Sequence, residues 1–192
     1  MNVEWNWIKQ RPHFIAELLN ESFDLTIMYQ YRYGRSGLQK RDDSHLKLYP
    51  MYVLPKLSGI EKLRVINDVL LGMIVKKQIQ TEKPDLLYLT YPTQYYCVPK
   101  NYTGKVIYDC MDDHTAFVRN EYARKKLAEL EKRLCERCDY MFVTSDNLLN
   151  KCKNRYHLMD KEIRVIRNAY DGKIIETEIV KKDEKKLKLA YV

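Results

Sequence analysis

The residues best suited to chemistry lie in one short run, Asp109-Cys110-Met111-Asp112-Asp113-His114. Three carboxylates beside an imidazole can divide into an acid and a base, because like charges push one pKa upward. The plainer alternative is that Asp112 or Asp113 caps the next helix and His114 is solvated. A second cluster, Trp5-Asn6-Trp7-Ile8-Lys9-Gln10-Arg11-Pro12-His13, joins two aromatic platforms, a fork-shaped guanidinium and a helix start whose free N–H groups attract anions. Sugars and phosphates suit such a surface. The competing reading packs the tryptophans under a sheet and pairs Arg11 with a carboxylate.

Other candidates are weaker. Cys135-x-x-Cys138 lacks the second ligand pair that zinc needs and the helix start that would lower a thiol pKa, so it reads as buried packing. Tyr29, Tyr31 and Tyr33 among arginines could stack bases or touch lipid headgroups, but a substrate loop fits better. The chain has no G-x-G-x-x-G, G-x-x-x-x-G-K-[ST], H-E-x-x-H or G-x-S-x-G. Dinucleotide redox chemistry, P-loop phosphoryl transfer, zincin proteolysis and hydrolase-elbow catalysis lose their main support.

To position these groups the chain alternates apolar runs with helical periods, the signature of βαβ units around a parallel sheet. A first helix is expected near Pro12, with Phe14, Ile15, Leu18 and Leu19 inward. A strand follows at 24–29, a long loop at 30–44 and a strand at 46–54 closed by Pro55. Ser58 and Glu61 form a capping box, after which Ile60, Leu63, Ile66, Leu70 and Ile74 keep one helix face apolar and core-facing. Buried strands are expected at 86–90 and 106–108, with a loop at 91–104 between them. A helix at 119–138 turns Leu127, Leu130 and Leu134 inward and its charged pairs outward. Then come a strand at 140–143, a helix capped by Ser145 or Asp146 that runs to Tyr156, and a strand at 163–166.

The 192 residues, 45% hydrophobic and 31% charged with six Gly and six Pro, can fill a core and exclude collagen-like and disordered chains. No apolar run approaches the roughly 18 residues of a bilayer span, and Met1-Asn2-Val3-Glu4-Trp5 is no signal peptide, so a cytoplasmic protein is expected. The five cysteines read as reduced thiols. Thirty-four basic against 26 acidic residues give a net charge of +8, but the excess is spread along the chain, whereas nucleic-acid binders gather theirs on one stripe. No nucleic-acid partner is expected.

Four segments in register carry a family resemblance: Trp7-Ile8-Lys9-Gln10-Arg11-Pro12-His13, Tyr108-Asp109-Cys110-Met111-Asp112-Asp113, Cys138-Asp139-Tyr140-Met141-Phe142-Val143-Thr144-Ser145, and Val165-Ile166-Arg167-Asn168-Ala169-Tyr170-Asp171. Their order and spacing resemble the amino-terminal half of GT-B glycosyltransferases of the group 1 or family 4 set, which includes teichuronic-acid and other bacterial surface-polysaccharide enzymes. The resemblance implies a Rossmann-like α/β domain with a parallel sheet flanked by helices. It also implies a nucleotide-sugar donor held mainly by a second domain, a glycan or lipid-linked acceptor held by this one, and no bound metal or other cofactor. By the same resemblance Trp7, Gln10, Arg11 and His13 line the cleft, and Asp109, Asp112 and Asp113 face the reaction centre with His114 beside them. Ser145 and Asn168 sit near the interdomain hinge.

The expected organisation is an acceptor-side domain at 1–172, a charged linker at 173–186 and the opening strand of a donor-binding domain at 187–192. The family's first strand has no counterpart before Trp5. A fragment inactive by itself is therefore expected. Exposed tyrosines and spread positive charge suit peripheral contact with an anionic membrane. The alternatives are a non-catalytic acceptor-binding subunit that meets a separate donor-binding chain, as in two-chain GlcNAc transferases, and a flavodoxin-like binding module.

Overall fold

The computed structural model describes Trp5 and residues 9–31, 43–53 and 61–169, with the backbone alone for 61–65. The protein is α/β, with parallel sheets flanked by helices, consistent with a Rossmann-like fold. The element order is α1 (Arg11–Asn20), β1 (Thr26–Tyr31), β2 (Lys47–Tyr52), α2 (Glu61–Glu82), β3 (Leu86–Leu89), β4 (Lys105–Cys110), α3 (Glu121–Arg137), β5 (Tyr140–Val143), α4 (Asp146–Tyr156) and β6 (Ile163–Val165). Short 3₁₀ turns at Pro92–Cys97 and His114–Phe117 precede β4 and α3. The expected linker and the strand at 187–192 lie outside the described residues, as does the segment before Trp5.

The described strands form two sheets. β1 and β2 pair parallel with Thr26 opposite Lys47. β3, β4, β5 and β6 form a second parallel sheet in chain order. Pro50 sits within β2 opposite Tyr29, where a missing N–H is tolerated because, among the described residues, β2 pairs on one side only.

The larger sheet carries the main core. Val106, Tyr108 and Cys110 of β4 and Met141 and Val143 of β5 alternate onto buried positions. Leu127, Leu130 and Leu134 of α3 are buried as the helical period requires, Leu134 within the sheet's core, where Cys135, Cys138 and Cys152 fill the remaining space as small apolar groups. Burial pushes the Cys135 and Cys138 thiols up, which agrees with a packing role for the C-x-x-C pair. Burying a side chain such as Leu134 contributes about 2 kcal/mol. Asn120 caps α3 by accepting the Ala123 N–H, and Ser145 caps α4 by accepting the Leu148 N–H.

Three expected faces turn out differently. Glu131, counted among the outward charges of α3, is buried and accepts hydrogen bonds from the Tyr108 and Tyr156 hydroxyls. In α1 the core face is Pro12, His13 and Ala16, while Phe14 and Leu18 are exposed. The His13 ring stacks 4.6 Å from Trp5, and two ring hydrogen bonds satisfy its nitrogens, so a polar side chain wins the inward face. In α2, Ile66, Leu70 and Ile74 face out, and Asn67, Leu71 and Ile79 face in. Gly72 explains the rotation, since a Cβ there would fall 2.8 Å from the Tyr96 carbonyl oxygen. The Pro92–Cys97 turn lies directly on that helix surface and claims it for the interior. Ser58, Ile60 and Pro55 lie outside the described residues.

Candidate functional site

The carboxyl ends of parallel strands collect ligand-binding loops in open α/β sheets. Here that edge brings together the exits of β3, β4, β5 and β6 with the start of α1. Thr144 Oγ1 donates to the Met111 carbonyl at 2.8 Å, tying the β5 exit to the β4 exit, and the Ile166 N–H donates to Val143.

Asp109, the penultimate residue of β4, is fully buried. Arg11 grips it with a fork, Nε to Oδ2 at 2.9 Å and a terminal nitrogen to Oδ1 at 3.2 Å. The Tyr88 hydroxyl donates to Oδ2 at 2.8 Å. These bonds supply what a buried carboxylate needs, so its oxygens are occupied within the protein. Burial and the adjacent Asp109 charge hold the Tyr88 phenol well above its usual range, so it stays a donor. The same guanidinium reaches the Arg167 carbonyl and Asn168 Oδ1, each at 3.3 Å. Arg11 therefore joins α1, β4 and the segment leaving β6, and it brings Asn168 to this edge.

Asp113 is committed in another direction. Arg155 of α4 donates to both its oxygens, at 2.7 and 2.9 Å, and the Thr115 hydroxyl donates at 2.8 Å. The Arg155 guanidinium holds the Asp113 carboxyl well below the usual carboxylate range. Asp113 precedes the 114–117 turn but makes no side-chain capping bond there, so neither the acid–base nor the capping expectation describes it. The Asp112 side chain is exposed, and its carbonyl accepts the His114 N–H at 2.9 Å.

His114 is buried, and its ring lies 4.7 Å from that of Tyr91. Nε2 has no hydrogen-bond partner, the one such buried side-chain nitrogen or oxygen among the described residues. The ring also bonds the Thr90 backbone, and that bond favours the protonated form. Desolvation holds the His114 pKa down, against the pull of Glu131, Asp112 and Asp113. Gln94 Oε1 fixes the β3 exit by accepting the Thr90 and Tyr91 N–H groups at 2.6 and 2.9 Å.

The remaining expected residues separate. His13 does not line this edge: it is fully buried, with Nδ1 accepting the Gln10 N–H at 3.0 Å and Nε2 3.1 Å from the Trp5 carbonyl oxygen. Gln10 is exposed at the cap of α1. Ser145 is spent on the α4 cap, and Trp7 lies outside the described residues. Trp5 is core, its indole N–H donating to Asp43 at 2.7 Å, so the packing reading holds for that tryptophan and for Arg11. Sequence reasoning missed Tyr88, Thr90, Gln94 and Arg155. Only Tyr88 left a signal, a polar tip near the end of an apolar strand. Among the described residues, no group of three or more His, Cys, Asp or Glu side chains could hold a metal ion, and no helix is long and apolar enough to cross a membrane. Comparison with protein-family models and with curated proteins gives no match.

Proposed function

We propose that this domain is the acceptor-side half of a GT-B type glycosyltransferase, one that moves a sugar from a nucleotide-sugar donor onto a glycan or lipid-linked acceptor. The observation that carries the reading is the unpartnered Nε2 of buried His114 at the carboxyl edge of the sheet, the same edge that the Arg11–Asp109 pair fixes. With its proton on Nδ1, the neutral imidazole accepts a hydrogen bond from a sugar hydroxyl at Nε2. As the acceptor oxygen bonds to the anomeric carbon, Nε2 takes the hydroxyl proton. The bond from that carbon to the donor's diphosphate oxygen breaks, and the diphosphate leaves with the electron pair. Asp112 remains at the edge to orient a second hydroxyl, and Arg11 and Asp109 fix the loops that present these groups.

The test has two parts. Saturation-transfer NMR with oligosaccharide acceptors should give contacts to this chain that vanish in His114→Ala, and a protein joining this domain to a donor-binding half should transfer label from a nucleotide sugar. Acceptors that leave the His114 ring resonances unmoved would sink the reading. Peripheral contact with an anionic membrane belongs to the same proposal. Co-sedimentation with anionic vesicles that salt abolishes is the result it requires.

A further inference from the structure

Between the 114–117 turn, α3 and α4 lies a cavity of about 290 Å³ lined by Asp113, Thr115, Ala116, Arg124, Lys125, Ala128 and Arg155. His114, Asp109 and Arg11 are not among its walls. Three cations, Arg124, Lys125 and Arg155, line it with one carboxylate, Asp113, and Lys151 and Glu121 stand behind them as ion-pair partners of these lining groups. Arg124 and Lys125 share Glu121, and Arg155 and Lys151 share Asp113. Two positive charges are left over.

The excess sits on the lysines. Arg155 spends its fork on Asp113 and Thr115. Lys125 Nζ stands 3.7 Å from Glu121, and Lys151 Nζ 3.5 Å from Asp113. Both exceed the roughly 2.7–3.2 Å of an N–H···O bond, so these ammonium groups keep donors to give. Ala116 and Ala128 leave the walls shallow, and Phe117, next to Ala116 in sequence, is 75% exposed. Ligand-enclosing pockets run from roughly 300 Å³ upward, so this one suits a compact anionic group whose attachment projects outward past apolar surface.

We propose that this cavity binds a phosphate dianion, as carried by a phosphate monoester or a diphosphate. The excess of two charges matches such a group, and Asp113, already neutralised by Arg155, holds the turn that forms one wall. The proposal does not depend on sugar transfer, because the cavity and the strand-exit edge share no side chain that both require.

The experiment is isothermal titration of the 192-residue chain with inorganic pyrophosphate at neutral pH. Saturable binding is expected, weakened about tenfold in the Lys125→Ala/Lys151→Ala double variant and unchanged in Lys77→Ala on α2. Melting followed by circular dichroism verifies that the double variant is folded. Absence of saturable heat, or equal affinity in the double and Lys77→Ala variants, overturns the proposal. Two further arms separate the sources. Pyrophosphate-competed association with phosphatidic-acid vesicles, absent for phosphatidylcholine vesicles, assigns a lipid-borne phosphate; competition by glucose 1-phosphate without vesicle association assigns a soluble ester. If neither competes, the assignment to phosphate esters is wrong.

Discussion

Arg11 and Asp109, 98 residues apart, meet in a two-pronged ion pair whose carboxylate is fully buried and whose guanidinium also holds Asn168. The first helix, the fourth strand and the exit of the sixth are thereby fixed to one another at one point. Removing one partner of such a pair strands a buried charge. Arg11→Met should cost about 3–5 kcal/mol in denaturant-induced unfolding, whereas Arg11→Met/Asp109→Leu together should cost less than Arg11→Met alone. A double variant less stable than that single variant would contradict the pairing.

Glu131 offers the reverse case, an acidic group with two phenol donors and no cation among its hydrogen-bond partners. Tyr108→Phe and Tyr156→Phe should each cost about 1–2 kcal/mol, and Glu131→Leu more, because it orphans two buried hydroxyls at once. Chemical denaturation of the three variants measures the order.

Burial keeps His114 neutral in the folded protein, so its folded pKa lies below the unfolded value of about 6.5. The stability tied to it is complete above that value and falls as the pH drops through the folded pKa. His114→Gln should flatten this part of the stability profile. NMR titration of the ring proton checks the direction, and a midpoint above the ordinary value would refute the assignment.

Asp113 acts on a lower limb with the same sign. Its pKa is depressed by Arg155, so its contribution is present above about 3.9 and is lost as acid protonates the folded carboxylate. Asp113→Asn should remove that loss, read as a shallower acid arm in urea melts.

Gly72→Ala should destabilise the protein even though alanine is the better helix former, because the new methyl meets the Tyr96 carbonyl at 2.8 Å. A rise in melting temperature would show that the turn on α2 yields.

Much of the larger sheet was legible. Residues 140–143, the Ser145 cap and the inward leucines of α3 follow from alternation, capping chemistry and a 3.6-residue period, all of them local. The faces of α1 and α2 were not, since periodicity finds an apolar stripe but cannot tell which stripe the rest of the chain covers. Leu70 and Ile74, each 41% exposed, lie on the α2 stripe that was expected inside. The site divided along the same line. Asp109 and His114 stood out as residue types at a strand exit, whereas Arg155, 42 residues from Asp113, and Tyr88, 21 from Asp109, become partners only through tertiary folding.

No backbone ladder runs from the β1–β2 pair to the four-stranded sheet among the described residues. A guanidinium latch can be undone by a competing anion or carboxylate, which a run of amide hydrogen bonds cannot. The corner built from α1, β1 and β2 thus has a releasable catch, and ligand charge arriving at Arg11 would be felt as loosening in β1 and β2, which it never touches.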